Sequence, residues 1–341
     1  MATPTASSTP RPTPPPGRYL VTGAGGFIGA HLCQRLLDAG REVVAADLTS
    51  PTNLDNGATF VRLDLRDRQS VRRAVSQSGA THAVHLAAKV GDWGPREHFD
   101  AVNVAGTRAV LEALRESKVG RAVHLSSIAS MGLDAGAVAD ESVPPITDGD
   151  AYSATKAGGE RVAREFQAQG APLAVIRPGD VYGIGSVPWV LRPLDLLKRR
   201  QMMLVDGGLG HFAHVHVDNL VDLIVLALTD PRAVGEVFIG TDGDQRCTIG
   251  SYFTRLAEVT GLPRPSLSLS ERNARRLAGV VEGVCKRVGF TPPITQNAVS
   301  FVLRKGSFSI DKARDVLGWA PRVTLSEGLT EIGAHYGPRV R

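Results

Sequence analysis

Tyr152 and Lys156 stand four residues apart at the head of a stretch that reads as a helix, 152–169, so the two side chains share one face. A phenol ordinarily loses its proton at about pH 10. A neighbouring ammonium favours the phenolate and lowers that value, which would let Tyr152 exchange a proton with a substrate oxygen. Tyr-x-x-x-Lys is a common spacing by chance, so its meaning depends on its surroundings. Upstream, Ser126 and Ser127 close a predicted strand, 121–125, at the kind of strand end where open α/β sheets bind ligands. Either hydroxyl suits a substrate oxygen beside the phenol, or a turn cap; Ser127 is the preferred candidate. Asn103 opens a predicted helix, 102–117, and reads equally as an anchor for a proton-relaying water and as a helix cap.

The partner for this proton chemistry is written near the N-terminus. A predicted strand, 19–22, runs into Thr22-Gly23-Ala24-Gly25-Gly26-Phe27-Ile28-Gly29 and then into a predicted helix, 27–38. Gly23 permits a tight turn, Gly26 admits a pyrophosphate to the backbone, and Gly29 allows close helix–strand packing. The helix N-terminus adds free N–H groups and a positive dipole end. The loop therefore reads as a dinucleotide site, with hydride moving to or from a nicotinamide while Tyr152 handles the proton. Lys156 would also bond the nicotinamide ribose. Asp47 ends the second strand, where a carboxylate accepts from a ribose diol and repels a 2′-phosphate. No Arg follows it directly, so NAD is favoured over NADP. Asp64 follows the third strand and is expected to meet the adenine amino group.

These groups must be held by a regular scaffold. Strands at 19–22, 42–46, 59–63, 82–86, 121–125 and 173–176 alternate with helices at 27–38, 67–77, 102–117 and 152–169. That rhythm implies βαβ units, right-handed crossovers and an α/β fold with a doubly wound parallel sheet, a Rossmann domain. The expected division is a disordered tail at 1–17, a dinucleotide-binding domain at 18–180, and a smaller mixed substrate-binding part at 181–341. The stretch near 212–240, with Val237-Phe238-Ile239, is expected to complete the sheet.

The 341 residues are 43% hydrophobic, enough for a sizeable core, and carry a net charge of +5 spread as single Arg residues. No basic run points to nucleic acid. Cys33, Cys247 and Cys285 are too scattered for a disulfide framework, which suits a cytoplasmic protein. The Pro- and Thr-rich start lacks the apolar segment of a signal peptide, and no window suits a spanning helix. Among His211, His214 and His216, the latter two share a strand face, but no third ligand is evident, so no metal is expected. Leu277, Val280, Val281, Val284 and Val288 form an apolar stripe at helical spacing. Packing on the substrate part is the preferred reading. Arg275, Arg276, Lys286 and Arg287 beside it would also suit peripheral contact with an anionic membrane.

Taken in order along the chain, these motifs resemble the extended short-chain dehydrogenase/reductase, or NAD-dependent epimerase/dehydratase, family. The resemblance runs from about Arg18 to Leu329. It includes the 22–29 loop, Asp64-Leu65, His85-Leu86-Ala87-Ala88, Asn103-Val104-Ala105-Gly106-Thr107, Tyr152-Ser153-Ala154-Thr155-Lys156, Arg177-Pro178, His216-Val217-Asp218-Asn219 and Leu317-Gly318-Trp319. It implies catalytic roles for Ser127, Tyr152 and Lys156. It also implies NAD contacts from Gly23, Gly25, Gly26, Phe27, Ile28, Gly29, Asp47, Asp64, Leu65, Ala87, Ala88, Lys89, Tyr152, Lys156, Pro178, Gly179 and Val181. A homodimer is implied as well.

Ser127-Ile128-Ala129 stands where the family's dehydratases carry Thr-Asp-Glu, and Phe212 stands where its sugar-nucleotide epimerases carry a pyrophosphate-binding Arg. Lys89 to Pro95 and Val181 to Ser186 resemble the 3β-hydroxysteroid dehydrogenase-like branch. The resulting expectation is alcohol–ketone interconversion on a bulky apolar small molecule, sterol-like or a β-keto acid. The alternative is a sugar or sugar-nucleotide epimerase with the same Ser-Tyr-Lys chemistry. Non-catalytic dinucleotide-binding relatives usually lack the Tyr or the Lys, and both are present here.

Overall fold

Short aliphatic runs make the strands, and seven of them form one parallel sheet in a computed structural model that describes residues 10–50, 57–91, 93–133 and 135–338. They are β1 (Arg18–Thr22), β2 (Glu42–Asp47), β3 (Thr59–Arg62), β4 (His82–His85), β5 (Arg121–Leu125), β7 (Leu173–Pro178) and β11 (Val237–Gly240). Their spatial order is β11-β7-β5-β4-β1-β2-β3. Three two-stranded pairs lie outside this sheet: β6 (Val138–Ala139) with β13 (Ser307–Phe308), β8 (Asp180–Tyr182) with β10 (His214–His216), and β9 (Met203–Val205) with β12 (Leu267–Leu269). Leu20 of β1 faces both Val44 of β2 and Ala83 of β4. The chain thus changes winding direction at β1, which opens a crevice at the strand C-termini.

Alternate residues of each strand point to opposite faces, and both faces are covered. Tyr19 and Val21 pack with α1 (Phe27–Asp38), α7 (Val217–Thr229) and α11 (Asp311–Leu317). Leu20 packs on the other side with α2 (Arg68–Ser78), α4 (Thr107–Glu116) and α5 (Ala151–Ala168). Each fully buried Leu, Val or Phe in these layers contributes about 1.5–3 kcal/mol. The remaining helices are α3 (Arg96–Phe99), α6 (Arg192–Lys198), α8 (Ile249–Val259), α9 (Glu271–Val288), α10 (Gln296–Val302) and α12 (Leu325–Tyr336). Val237-Phe238-Ile239 does return to the sheet, as the outer strand beside β7.

Four details depart from the sequence reading. Residues 1–9 of the expected disordered tail, and Asp92, lie outside the described residues. From Pro10 onward the tail is docked: Arg35 donates to Pro12 O, Arg41 to Pro14 O, and Tyr19 Oη to Pro15 O. Proline carbonyls, outside any helix or strand ladder, accept these bonds. Second, α11 and Trp319 belong to the sheet's own core, so the segment expected to be mainly substrate-binding also builds the dinucleotide-binding sheet. Third, the helix predicted at 102–117 starts earlier, at Arg96, and widens into a π-helical segment, Asp100–Gly106, that contains Asn103. There α5 comes so close that a Cβ on Gly159 would lie 2.5 Å from Asn103 O. Fourth, the stripe on α9 is not packed away. Val280, Val284 and Val288 are 67%, 55% and 58% exposed, because the helix turns its Ala274–Ala278 side inward instead.

Candidate active site

The C-terminal ends of β1 to β5 and β7 open into one cleft of about 1460 Å³. Its first wall is the turn from β1 into α1. A Cβ on Gly29 would lie 2.1 Å from Gly23 O, so the helix can sit this close only as glycine. Helix α1 has no side-chain cap and no acid in its first turn, which leaves its leading N–H groups open to an anion. Asp47 bridges the loop: Oδ2 accepts from Gly25 N at 2.9 Å and Oδ1 from Leu48 N at 2.7 Å. The cleft is lined by Gly23, Gly25 to Gly29, Asp47, Asp64, Leu65, Ala87 to Lys89, Ser127, Tyr152, Lys156, Pro178, Gly179 and Val181. Every residue proposed for cofactor contact is therefore in one place, and so are three of the four proposed for catalysis.

The fourth, Asn103, is elsewhere. It does not cap a helix and does not line the cleft. Its Oδ1 accepts from Lys89 N at 2.7 Å, and its Nδ2 donates to Lys89 O and to Thr155 Oγ1, each at 3.0 Å. Asn103 thus fixes a cleft-lining loop to the helix that carries Tyr152. Asp64 does line the cleft, with Arg66 beside it. Both its oxygens accept from Arg66, at 3.0 and 2.7 Å.

Helix α5 presents the central pair. Asp150 caps it by accepting from Tyr152 N and Ser153 N, each at 3.0 Å. Lys156 Nζ, buried, donates to Leu125 O at 2.6 Å. Burial lowers the Lys156 ammonium to about 8, against a smaller opposing pull from Glu160. Burial likewise raises the Tyr152 phenol above its ordinary value. A hydrogen bond with Ser127 pulls it down, and the Asp150 and Asp180 carboxylates push it further up. The expected lowering of Tyr152 by Lys156 is therefore not what the structure shows: desolvation wins, and the ammonium is spent on a backbone carbonyl. Tyr152 is held as the neutral acid beside Ser127.

Beneath them lies a buried ion pair that the sequence reading missed. Glu160, one turn after Lys156, meets Arg177 of β7 at 2.7 Å, and both side chains are fully buried. Ser126 Oγ and Ser130 Oγ donate to Glu160 Oε2 at 2.7 and 2.9 Å. This network pins the end of β5 on either side of Ser127. The sequence signals are Glu160 at helical spacing from Lys156 and Arg177 in the Arg177-Pro178 motif, and nothing in the spacing pairs them.

The far end of the cleft is lined by Leu133, Pro188, Trp189, Ala298, Phe301 and Val302, with Arg192 beside them. Phe212 is fully buried, 4.3 Å from the Tyr252 ring and 4.6 Å from Trp189. Arg304 approaches from the C-terminal part, but its Nη2 is 2.5 Å from Asp180 Oδ2. Its guanidinium lies over Phe301 and Phe308. Burial raises Asp180 despite that cation.

Comparison with known proteins agrees with this geometry. The profile of the NAD dependent epimerase/dehydratase family matches residues 19–240. A 2-alkyl-3-oxoalkanoate reductase of Stenotrophomonas maltophilia is 30% identical, over 93% of this chain and 98% of its own. A 3 beta-hydroxysteroid dehydrogenase/Delta 5-->4-isomerase of Mycobacterium tuberculosis is 30% identical, over 94% and 90%. Among solved structures, the UDP-glucose 4-epimerase of Thermus thermophilus in complex with NAD superposes with a TM-score of 0.75 at 25% identity, covering 94% of this chain and 98% of that one.

Proposed function

Since the chain belongs to the NAD dependent epimerase/dehydratase family and is an NAD-dependent enzyme, we propose that it interconverts a secondary alcohol and a ketone on a bulky apolar substrate. The observation that carries this reading is the charge state of the substrate end. Phe212 sits in an aromatic cluster, and the nearby Arg304 is neutralised by Asp180. Neither Phe212 nor the carboxylate-paired Arg304 offers a pyrophosphate a free guanidinium, and the one arginine lining that end, Arg192, is exposed at its edge, whereas an aliphatic or ring skeleton would find Trp189, Phe301 and Val302.

NAD supplies the hydride acceptor, and its reduced form the donor, when bound. The Gly23–Gly29 turn and the open α1 N-terminus would hold its pyrophosphate, Asp47 its adenosine ribose, and Lys156 its nicotinamide ribose. Ser127 orients the substrate oxygen. Tyr152, neutral over the physiological range, is poised to give its proton to a ketone oxygen in the reducing direction, and solvent then reprotonates the phenolate; the oxidising direction starts from that phenolate, which takes the alcohol proton and releases it to solvent. Asn103 and the Glu160–Arg177 pair position these groups without touching substrate. The exposed face of α9, with Arg272, Arg276, Lys286 and Arg287 around it, supports an extension of the reading to contact with an anionic membrane. Among the described residues no helix is long and apolar enough to cross one.

The test is a substrate panel of long-chain β-keto acids, 3β-hydroxysteroids and UDP-sugars, followed by NADH absorbance. Net NADH change with a β-keto acid or steroid is the expected result. Turnover of a UDP-sugar without net NADH change would instead assign the epimerase alternative.

A further inference from the structure

At β10, outside the residues that line the cleft, three potential metal ligands converge that share no sequence motif. His214, on β10, is 3% exposed. Its Nδ1 lies 3.0 Å from Asp242 Oδ2. Asp242 is itself fixed, because Oδ2 also accepts from His216 N at 3.0 Å and Oδ1 accepts from Asn219 Nδ2 at 2.8 Å. A carboxylate on Nδ1 keeps that ring nitrogen protonated and turns Nε2 into the lone-pair side, the arrangement that orients metal-binding histidines. Nε2 is buried and has no hydrogen-bond partner among the described residues. It faces Asp244 Oδ2 at 3.8 Å, and the Cys247 thiol completes a group whose donor atoms lie within 4.8 Å of one another. None of the three lines the active-site cleft.

The loop bearing Asp244 and Cys247 is anchored around this point. Asp242 N donates to His214 O at 2.7 Å, and Phe212 N to Cys247 O at 2.9 Å. His211 Nε2 meets Asp244 O at 3.1 Å. Asp244 is the half-exposed member and provides an access route from solvent.

We propose that His214 Nε2, Cys247 Sγ and Asp244 Oδ2 bind a divalent cation of the zinc class, with water in the fourth tetrahedral position. One imidazole, one thiolate and one carboxylate suit zinc; magnesium and calcium prefer oxygen alone. Bonds of about 2.0–2.3 Å place neighbouring donors roughly 3.3–3.7 Å apart, a closure of about 1 Å that the exposed Asp244 side chain supplies. Binding forms a metal–sulfur bond and releases the thiol proton to solvent. The ion ties the loop between β11 and α8 to β10, whose neighbour β8 carries Asp180 and Val181 of the cleft wall. The competing occupant of Nε2 is a proton: burial opposes it, but the pull of the Asp242 and Asp244 carboxylates, with Cys247, outweighs burial and raises His214 well above its ordinary value.

The experiment uses the full chain, reduced, stripped with a chelator and titrated with zinc chloride and, separately, cobalt chloride. The expected result is one tightly held equivalent, with a thiolate-to-cobalt charge-transfer band in the near ultraviolet. Cys247→Ser should abolish that band. Asp244→Asn, at an exposed position, should weaken zinc by more than about tenfold while the far-ultraviolet dichroism is unchanged. Cys285→Ser should change nothing. Zinc should raise the melting temperature of the parent protein and not of Cys247→Ser. Failure to hold one equivalent, or binding that is indifferent to both Cys247→Ser and Asp244→Asn, would overturn the proposal and leave His214 as an imidazolium between two carboxylates.

Discussion

Removing the charge of Glu160 should damage the protein more than removing any surface carboxylate. Glu160 and Arg177 are both fully buried at 2.7 Å, so Glu160→Gln leaves a guanidinium in the interior with no counter-charge. Breaking one partner of such a pair costs roughly 3–5 kcal/mol, out of a total stability on the order of 5–15 kcal/mol. Replacing both partners by apolar groups of similar volume is far milder, because the desolvation of both charges is then relieved. The double variant Glu160→Met/Arg177→Met should therefore be more stable than Glu160→Gln alone. The sign of the pH dependence follows from the same site. Burial raises the Glu160 carboxyl, but the hydrogen bonds and charge of Arg177, with Ser126 and Ser130, outweigh it and leave it lowered. Its contribution is thus complete above the ordinary glutamate value and fades as pH falls through the lower folded value. Urea denaturation at neutral and acid pH, for the parent, the single and the double variant, reads all three effects. A loss below about 1 kcal/mol for Glu160→Gln, or a double variant weaker than the single, would refute the reasoning.

Asp47→Ala should weaken NAD binding by about 10–100-fold, since a hydrogen bond to a charged group contributes about 1.5–3 kcal/mol. It should also narrow the preference against NADP; calorimetric titration of both nucleotides measures this. Lys156, lowered to about 8 by burial, loses its proton well below an ordinary lysine, so kcat/KM should fall as pH rises past that value. Lys156→Arg keeps its charge there and should remove this basic limb, even at a lower plateau. The exposed face of α9 should bring the protein down with phosphatidylserine vesicles and less with neutral ones. Val280→Asp together with Val284→Asp should abolish that sedimentation, and an unchanged pellet would count against membrane contact.

How much of this could be read from residues alone depended on the range of the interaction. The Gly23–Gly29 turn and the Tyr152–Lys156 face are local, and motif and helical spacing expose them directly. The direction of the Tyr152 shift was not local. It turned on where Lys156 Nζ ends, at Leu125 O, and on how dry the cleft wall is. Glu160 and Arg177 are brought together only when β7 lies next to β5 under α5. The α9 stripe marked an amphipathic helix but could not say which side is covered, and the small residues Ala274 and Ala278 turned out to face inward. Asn103 reads from sequence equally as a water anchor and as a helix cap, and its actual partner Lys89 sits across a loop that no spacing rule reaches. The His214 group stayed hidden for the same reason, with one ligand on a strand and two on a distant loop.

The most direct measurement is turnover and NAD affinity of Tyr152→Phe, side by side with the parent enzyme. The phenol's hydroxyl is the proposed proton donor, and the ring alone preserves the packing of the cleft wall. Turnover should fall by roughly 10²–10⁴-fold, the usual contribution of a positioned acid, while NAD binds as before. Turnover that survives the substitution, with NAD still bound, would contradict the central claim.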